Sequence, residues 1–125
     1  MQLVDTILSL TAEVFARTPA ELIGRSRKRP IVEARQAAMW AMRRRYPSLS
    51  LETIGTVLGG RHYSTVMHAL IAVEERAQRR TDYRLQLERV IEQVSSQPQP
   101  ARLLNQERPA YQPQRYASAL PMPPS

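Results

Sequence analysis

The segment 59–70 holds side chains whose types and spacing suit the reading of DNA; it runs Gly-Gly-Arg-His-Tyr-Ser-Thr-Val-Met-His-Ala-Leu. Two glycines can end one helix, and short polar side chains then open the next. Short polar side chains at the start of a helix can reach base edges in a major groove. The same residues also fit a plain turn between two helices. The basic flank and the long helix that follows favour a helix-turn-helix DNA reader.

Individual chemistry can be assigned within this segment, whose predicted contact residues are Arg61, His62, Tyr63, Ser64, Thr65 and His68. Arg61 suits a phosphate, and Thr65 can place its methyl group against a thymine methyl. Ser64 also suits a simple N-cap role. His62 and His68 fall on different helix faces, and no cysteine or nearby acid completes a metal site. We therefore predict a packed or phosphate-facing His68 and no bound metal.

Positive charge is concentrated beside this segment. Residues 17–61 contain ten basic and three acidic residues, a net charge of +7, and the rest of the chain sums to zero. Seventeen of the eighteen basic residues are arginine, whose planar fork matches phosphates and guanine edges. This placement indicates a nucleic-acid partner rather than a solubilising coat.

The elements that must position these residues are all predicted to be helical. Apolar spacing and stop signals place them at 4–17, 19–23, 31–46, 51–58, after Gly60, and at 83–94. Thr18, Pro19 and Glu21 form a capping box, and Ser50 is a second N-cap. Gly59 suits a left-handed helix end. The run Arg43-Arg44-Arg45 fits either a phosphate clamp or a solvated face, and we favour the solvated face.

Composition excludes several classes of protein. The chain has no cysteine, which rules out disulfides, iron–sulfur clusters and cysteine-based zinc fingers. The N-terminus lacks a secretory signal pattern, and no apolar run approaches the roughly 20 residues of a membrane span. The expectation is a soluble cytoplasmic protein associated with the nucleoid, with no cofactor and no membrane partner.

The chain changes character near its C-terminus. Residues 97–125 hold seven of the ten prolines and show almost no apolar periodicity. This composition predicts a disordered tail, which can serve a protein partner. The predicted division is therefore a helical domain over 1–96 and a Pro/Gln-rich tail over 97–125.

Three stretches carry a resemblance to a known family. Residues 31–39 resemble an IV-x-x-RQ-x-AM segment, residues 49–55 an LSL-x-x-IG helix, and residues 59–69 a GGRDHTTVLHA signature. In this order they resemble the C-terminal DNA-binding domain of bacterial DnaA replication initiators, over residues 4–96. The resemblance implies an all-α, multi-helix bundle that contains a TrpR-like helix-turn-helix.

The resemblance also implies further DNA contacts. The family's basic loop reaches the minor groove and the phosphates, and here that loop supplies Arg25, Arg27, Lys28 and Arg29. Arg27 or Arg29 is the expected groove residue. Arg35 and Gln36 are expected to contact phosphate and to position bases or backbone. For Arg35 an ion pair with Glu33 or Glu52 is the alternative.

Departures from the family pattern modify the expected function. His62, Tyr63 and Ser64 stand where the family usually has Asp, His and Thr, so the preferred site is expected to differ from the usual DnaA box. No GxxxxGK[ST] motif occurs, and the chain starts close to where the DNA-binding domain would. The expectation is a DNA reader without nucleotide binding or ATPase activity.

Two functions from different classes remain at this point. The first is a sequence-specific double-stranded DNA-binding protein that regulates transcription, which we favour slightly, or modulates replication initiation at DnaA-box-like sites. The second is a helical adaptor that has lost specific DNA binding and recruits a polymerase or replication factor. The presence of Arg61, Ser64, Thr65 and the basic loop favours the first. No motif supports an enzyme.

Overall fold

The computed structural model describes residues 2–95, with side chains from Val4 onward. Its helices are α1 (Gln2–Val14), α2 (Pro19–Ile23), α3 (Arg29–Arg45), α4 (Leu51–Val57), α5 (Tyr63–Arg79) and α6 (Thr81–Ser95). Residues 2–95 contain no strand, which confirms the all-helical prediction. None of these helices is long and apolar enough to cross a membrane. The predicted tail, 97–125, lies outside the described residues.

The central element is α3, which packs against each of the other helices. Its buried face includes Ala34, Ala38 and Ala41, all without solvent exposure. Such small side chains let neighbouring helix backbones approach closely, while the flexible Met39 and Met42 fill the remaining gaps. The sequence therefore places the core of the domain along this one helix.

The helix boundaries follow the local signals closely. The Thr18 hydroxyl accepts from the Glu21 N–H, and the Glu21 side chain accepts from the Thr18 N–H, which completes the predicted capping box. Ser50 caps α4 by accepting from the Thr53 N–H at 3.0 Å. Gly59 adopts a φ of +90°, as a left-handed helix end requires. These predictions are confirmed.

The end of α1 differs from the prediction. The helix stops at Val14 instead of residue 17, and Ala16 takes a φ of 58°. The Arg17 N–H donates to the Ala12 carbonyl at 2.8 Å, and the Ala16 N–H donates to the Glu13 carbonyl at 3.1 Å. This pair of bonds is a Schellman motif. It was not predicted because alanine, unlike glycine, gives no signal for a left-handed residue.

The arginine run at the end of α3 is not a uniformly solvated face. Arg43 is buried, with 8% of its surface exposed. The Arg44 guanidinium lies 5.3 Å from the centre of the Trp40 ring, in a cation–π contact. Only Arg44 of the three is exposed, so the solvated-face prediction is wrong for Arg43.

A buried polar cluster joins α6 to α3 and α5. The Tyr83 hydroxyl donates to the Glu33 carbonyl oxygen at 3.0 Å and accepts from Arg76 at 3.2 Å. The Glu33 carboxylate pairs with Arg80 at 2.7 Å and with Arg76 at 3.6 Å. Burial raises the pKa of the Tyr83 phenol from 10.0 to about 12.

This raised pKa predicts alkaline destabilisation. In the unfolded chain a tyrosine ionises near pH 10, whereas folded Tyr83 keeps its proton until about pH 12. The stabilisation is therefore complete below pH 10 and is lost as the pH rises through 12, by roughly 3 kcal/mol in total. Urea unfolding across this interval should show a shallower pH dependence for Tyr83→Phe, and no change for the exposed Tyr63→Phe. An equal pH dependence in all three proteins would contradict the assignment.

Candidate nucleic-acid interface

A tight turn fixes the angle between α4 and α5. The Arg61 N–H donates to the Gly55 carbonyl oxygen at 2.8 Å. A Cβ atom on Gly55 would lie 2.1 Å from the Arg61 carbonyl oxygen, so no larger residue fits there without backbone movement. The two helices and the turn thus form a closely packed helix-turn-helix.

His62 caps the start of α5. Its Nδ1 accepts from the Ser64 N–H at 3.1 Å and lies 2.8 Å from the Ser64 hydroxyl. His62 therefore takes the N-cap role that Ser64 alone could have had. Because Nδ1 accepts a backbone hydrogen bond, the hydrogen-bond pattern assigns the proton of the neutral ring to Nε2. The free edge of the imidazole is a donor.

The solvent-facing edge over the first two turns of α5, called the reading edge below, is polar and is formed by the four exposed side chains named next. His62, Tyr63, Thr65 and His68 are exposed, and the ring centres of His62 and Tyr63 are 4.5 Å apart. The opposite side of the helix is anchored in the core by Val66, Ala69 and Val73. The edge offers an imidazole N–H, a phenol, a hydroxyl and a methyl group to a groove.

Residues 2–95 contain no group of three potential metal ligands that could hold an ion.

Arg61, which is predicted to contact a phosphate, is half-buried and bonds to the protein's own backbone. Its guanidinium donates to the carbonyl oxygens of Leu58, of Gly24 at 2.5 Å and of Ile23 at 3.5 Å. Burial, and then the nearby Arg25, lower its pKa. These bonds use three of its five N–H donors and give Arg61 a positioning role, while its contact with a phosphate stays a prediction. It joins the turn before α5 to the end of α2.

The position of Arg35 differs from the one that the sequence predicts. Only 6% of its surface is exposed, so it faces neither a phosphate nor the alternative partners Glu33 and Glu52. Its guanidinium donates to the last carbonyls of α2 and to the residue that follows; the acceptors are Leu22 at 2.6 Å, Glu21 at 3.3 Å and Gly24 at 3.2 Å. Desolvation, followed by the charge of Arg61, lowers its pKa. Arg35 therefore caps the C-terminus of α2.

Gln36 follows Arg35 on α3 and is half-buried. Its side-chain Oε1 is buried and has no hydrogen-bond partner within the described residues. Its contact to backbone or base stays a prediction.

The basic loop presents free charges next to the reading edge. Its predicted cations, Arg25, Arg27, Lys28 and Arg29, are all exposed, and the last of them is the first residue of α3. Their side chains form no hydrogen bond or ion pair within the described part of the chain. The loop starts at Gly24, whose carbonyl holds both Arg35 and Arg61. The loop is thereby tethered to the turn that precedes α5.

Sequence reasoning missed one group of cations near the loop. Arg76, Arg79 and Arg80, at the end of α5, line the same cleft as Arg27 and Arg29. The available signal was the basic run at 76–80, which the charge count over 17–61 left out.

A packed helix-turn-helix, an exposed polar edge at the start of its second helix and a tethered basic loop define a DNA-binding domain of the helix-turn-helix class. The family model for the bacterial DnaA protein helix-turn-helix matches residues 4–73. The chain belongs to this family.

Similar proteins include chromosomal replication initiator proteins DnaA from two organisms. The one from Synechococcus sp. (strain JA-2-3B'a(2-13)) is 36% identical over 90 residues, which is 72% of this chain and 19% of that protein. The one from Caulobacter vibrioides (strain NA1000 / CB15N) is 38% identical over 71 residues, 57% of this chain and 14% of that protein. The match thus spans less than a fifth of either initiator.

Proposed function

We propose that this protein binds double-stranded DNA at specific sequences and so regulates transcription or modulates replication initiation at DnaA-box-like sites. The proposal rests on one observation: two exposed surfaces, the start of α5 and the basic loop, are held next to each other. The exposed start of α5 can read bases, and the exposed basic loop can hold phosphates or enter the minor groove. The bond from Arg61 to the Gly24 carbonyl fixes one surface against the other.

The cap at position 62 has a consequence for sequence preference. The family's usual aspartate is an acceptor and suits the amino group of cytosine. Here His62 presents an Nε2–H donor, because its other ring nitrogen caps α5. A donor suits an acceptor on the base edge, such as N7 or O6 of guanine. We propose that this position prefers an acceptor-bearing base where the usual family site has cytosine.

The proposed role needs no ATP hydrolysis. The sequence contains no GxxxxGK[ST] run that would cradle nucleotide phosphates. Site occupancy alone can block or recruit other proteins at a promoter, which is why we favour transcription control over replication control. A protein partner for residues 97–125 belongs to the same proposal.

The experiment is selection of bound sites from random duplex DNA near physiological salt with excess competitor. We compare the wild-type protein with His62→Asp, because aspartate also caps helices well and keeps α5 intact. A sharp motif is expected for both proteins, with a changed base at one position. Each should bind the other's motif about tenfold more weakly, since one altered base contact is worth about 1–3 kcal/mol.

Arg89→Ala is the matched control, because Arg89 is exposed on α6, far along the chain from the reading edge. It should select the wild-type motif. Identical motifs from wild type and His62→Asp would refute base reading by residue 62. No enrichment, with binding that disappears as salt rises, would instead support the helical adaptor.

A further inference from the structure

A cationic cleft of about 440 Å³ lies between the start of α3 and the end of α5; its lining residues are Arg27, Arg29, Val32, Glu33, Arg76, Arg79 and Arg80. Glu33 is the one acid in this lining, and it is already paired with Arg76 and Arg80. Arg27, Arg29 and Arg79 are exposed and form no hydrogen bond or ion pair with other described residues. The cleft therefore has three guanidinium groups available to an anion.

The cleft opens on the side of α5 that carries the reading edge. At 3.6 residues per turn, Thr65, His68, Arg76 and Arg79 fall within an arc of about 80°. Arg79 lies about 21 Å from Thr65 along the helix axis, whereas the major groove is about 12 Å wide. A helix that starts in the groove and crosses it is therefore long enough to bring Arg79 to the phosphate rim.

We propose that this cleft binds a backbone phosphate of the same duplex whose bases the start of α5 reads. The inference rests on the proposed function, and it adds the C-terminal end of α5 to the proposed DNA interface. Arg79 and the loop arginines Arg27 and Arg29 donate to the phosphate. Arg76 and Arg80 line the cleft but are held by Glu33. Glu75, the acid at the margin of this face, lies outside the cleft lining.

The lining favours a DNA phosphate over a free nucleotide. It contains no aromatic side chain on which a base could stack, and Val32 is its one apolar member. Two of its arginines belong to the basic loop, which the proposed function already places on DNA. The chemistry is therefore that of a phosphate group alone.

The first test compares Arg79→Ala with Arg89→Ala, which removes an exposed α6 arginine that has no partner within residues 2–95. The association constant for a duplex carrying the selected site is measured over a range of salt concentrations. Arg79→Ala should lower the slope of log K against log salt by about 1 and leave site preference unchanged. Arg89→Ala should match the wild type. Equal slopes for the two variants would overturn the cleft proposal.

The second test locates the phosphate. Neutral methylphosphonates replace the phosphates of the duplex one at a time. One replacement should weaken the wild-type protein about tenfold and weaken Arg79→Ala distinctly less, because that variant keeps only the contacts from Arg27 and Arg29. Equal weakening of both proteins at every position would contradict the contact.

The outcomes separate this inference from the proposed function. A wild-type protein that binds no duplex refutes both. A wild-type protein that binds duplex, with Arg79→Ala equal to Arg89→Ala, refutes the cleft alone. If ATP at matched ionic strength binds the wild type and not Arg79→Ala, while both bind duplex with one salt slope, the cleft takes a free nucleotide and the inference is wrong.

Discussion

Replacing Gly55 with alanine should lower the free energy of unfolding by about 3 kcal/mol and abolish specific DNA binding. The new Cβ would lie 2.1 Å from the carbonyl oxygen of Arg61, and 3.4 Å from a methyl carbon of Val66. The nearer atom belongs to the backbone, so the turn itself must open. Because the Arg61 N–H also bonds the Gly55 carbonyl, that movement displaces the start of α5 from the basic loop.

Gly60→Ala is the matched control for this effect. Gly60, unlike the helical Gly55, has a positive φ of +77°, and nothing lies within 4 Å of a Cβ placed on it. It should lose only about 1 kcal/mol, the cost of a left-handed alanine. Urea denaturation followed by circular dichroism measures both losses. Equal losses would show that the close approach at Gly55 costs no more than a left-handed alanine in open space, and would contradict the prediction.

Arg35→Met should destabilise the protein by about 3 kcal/mol, with little change in the salt dependence of DNA binding. Methionine retains the apolar stem, but leaves the carbonyls of Glu21, Leu22 and Gly24 without this donor. These are buried or partly buried acceptors, and the unmet hydrogen bonds carry the cost. The loss of this cap should also loosen the start of the basic loop.

Arg25→Met is the control for Arg35→Met, because Arg25 is exposed and its side chain makes no hydrogen bond within residues 2–95. It should unfold at the wild-type urea concentration. A direct phosphate contact by Arg35 would produce the opposite pattern from the one expected. Its removal would lower the salt slope by about 1 and leave stability unchanged.

Local chemistry explains which features of the fold the sequence could predict. The capping box of Thr18 and Glu21, the Ser50 cap and the left-handed Gly59 each depend on residues within about four positions. Ala16 shows the limit, because its left-handed conformation is imposed by bonds back to α1 rather than by its own type.

The arginines show why the site was harder to predict than the fold. A surface arginine and a buried one have the same residue type, and only partners distant in sequence separate them. Arg35 bonds carbonyls up to 14 positions away, and Arg61 bonds one 37 positions away. Arg79 lines the same cleft as Arg27 and Arg29 only because α3 packs against α5. The basic loop itself was found because charge density is local.

His62 both caps α5 and lies on the reading edge, and this restricts how the protein can evolve new target sites. The residue that closes the first turn of α5 is also the first side chain of the reading edge. A change there to leucine or valine would remove the cap and fray the reading helix. Only cap-competent side chains, such as aspartate, asparagine, serine or threonine, can replace it without this loss. Substitutions at position 62 are therefore expected to be limited to a few polar residues, each of which prefers a different base.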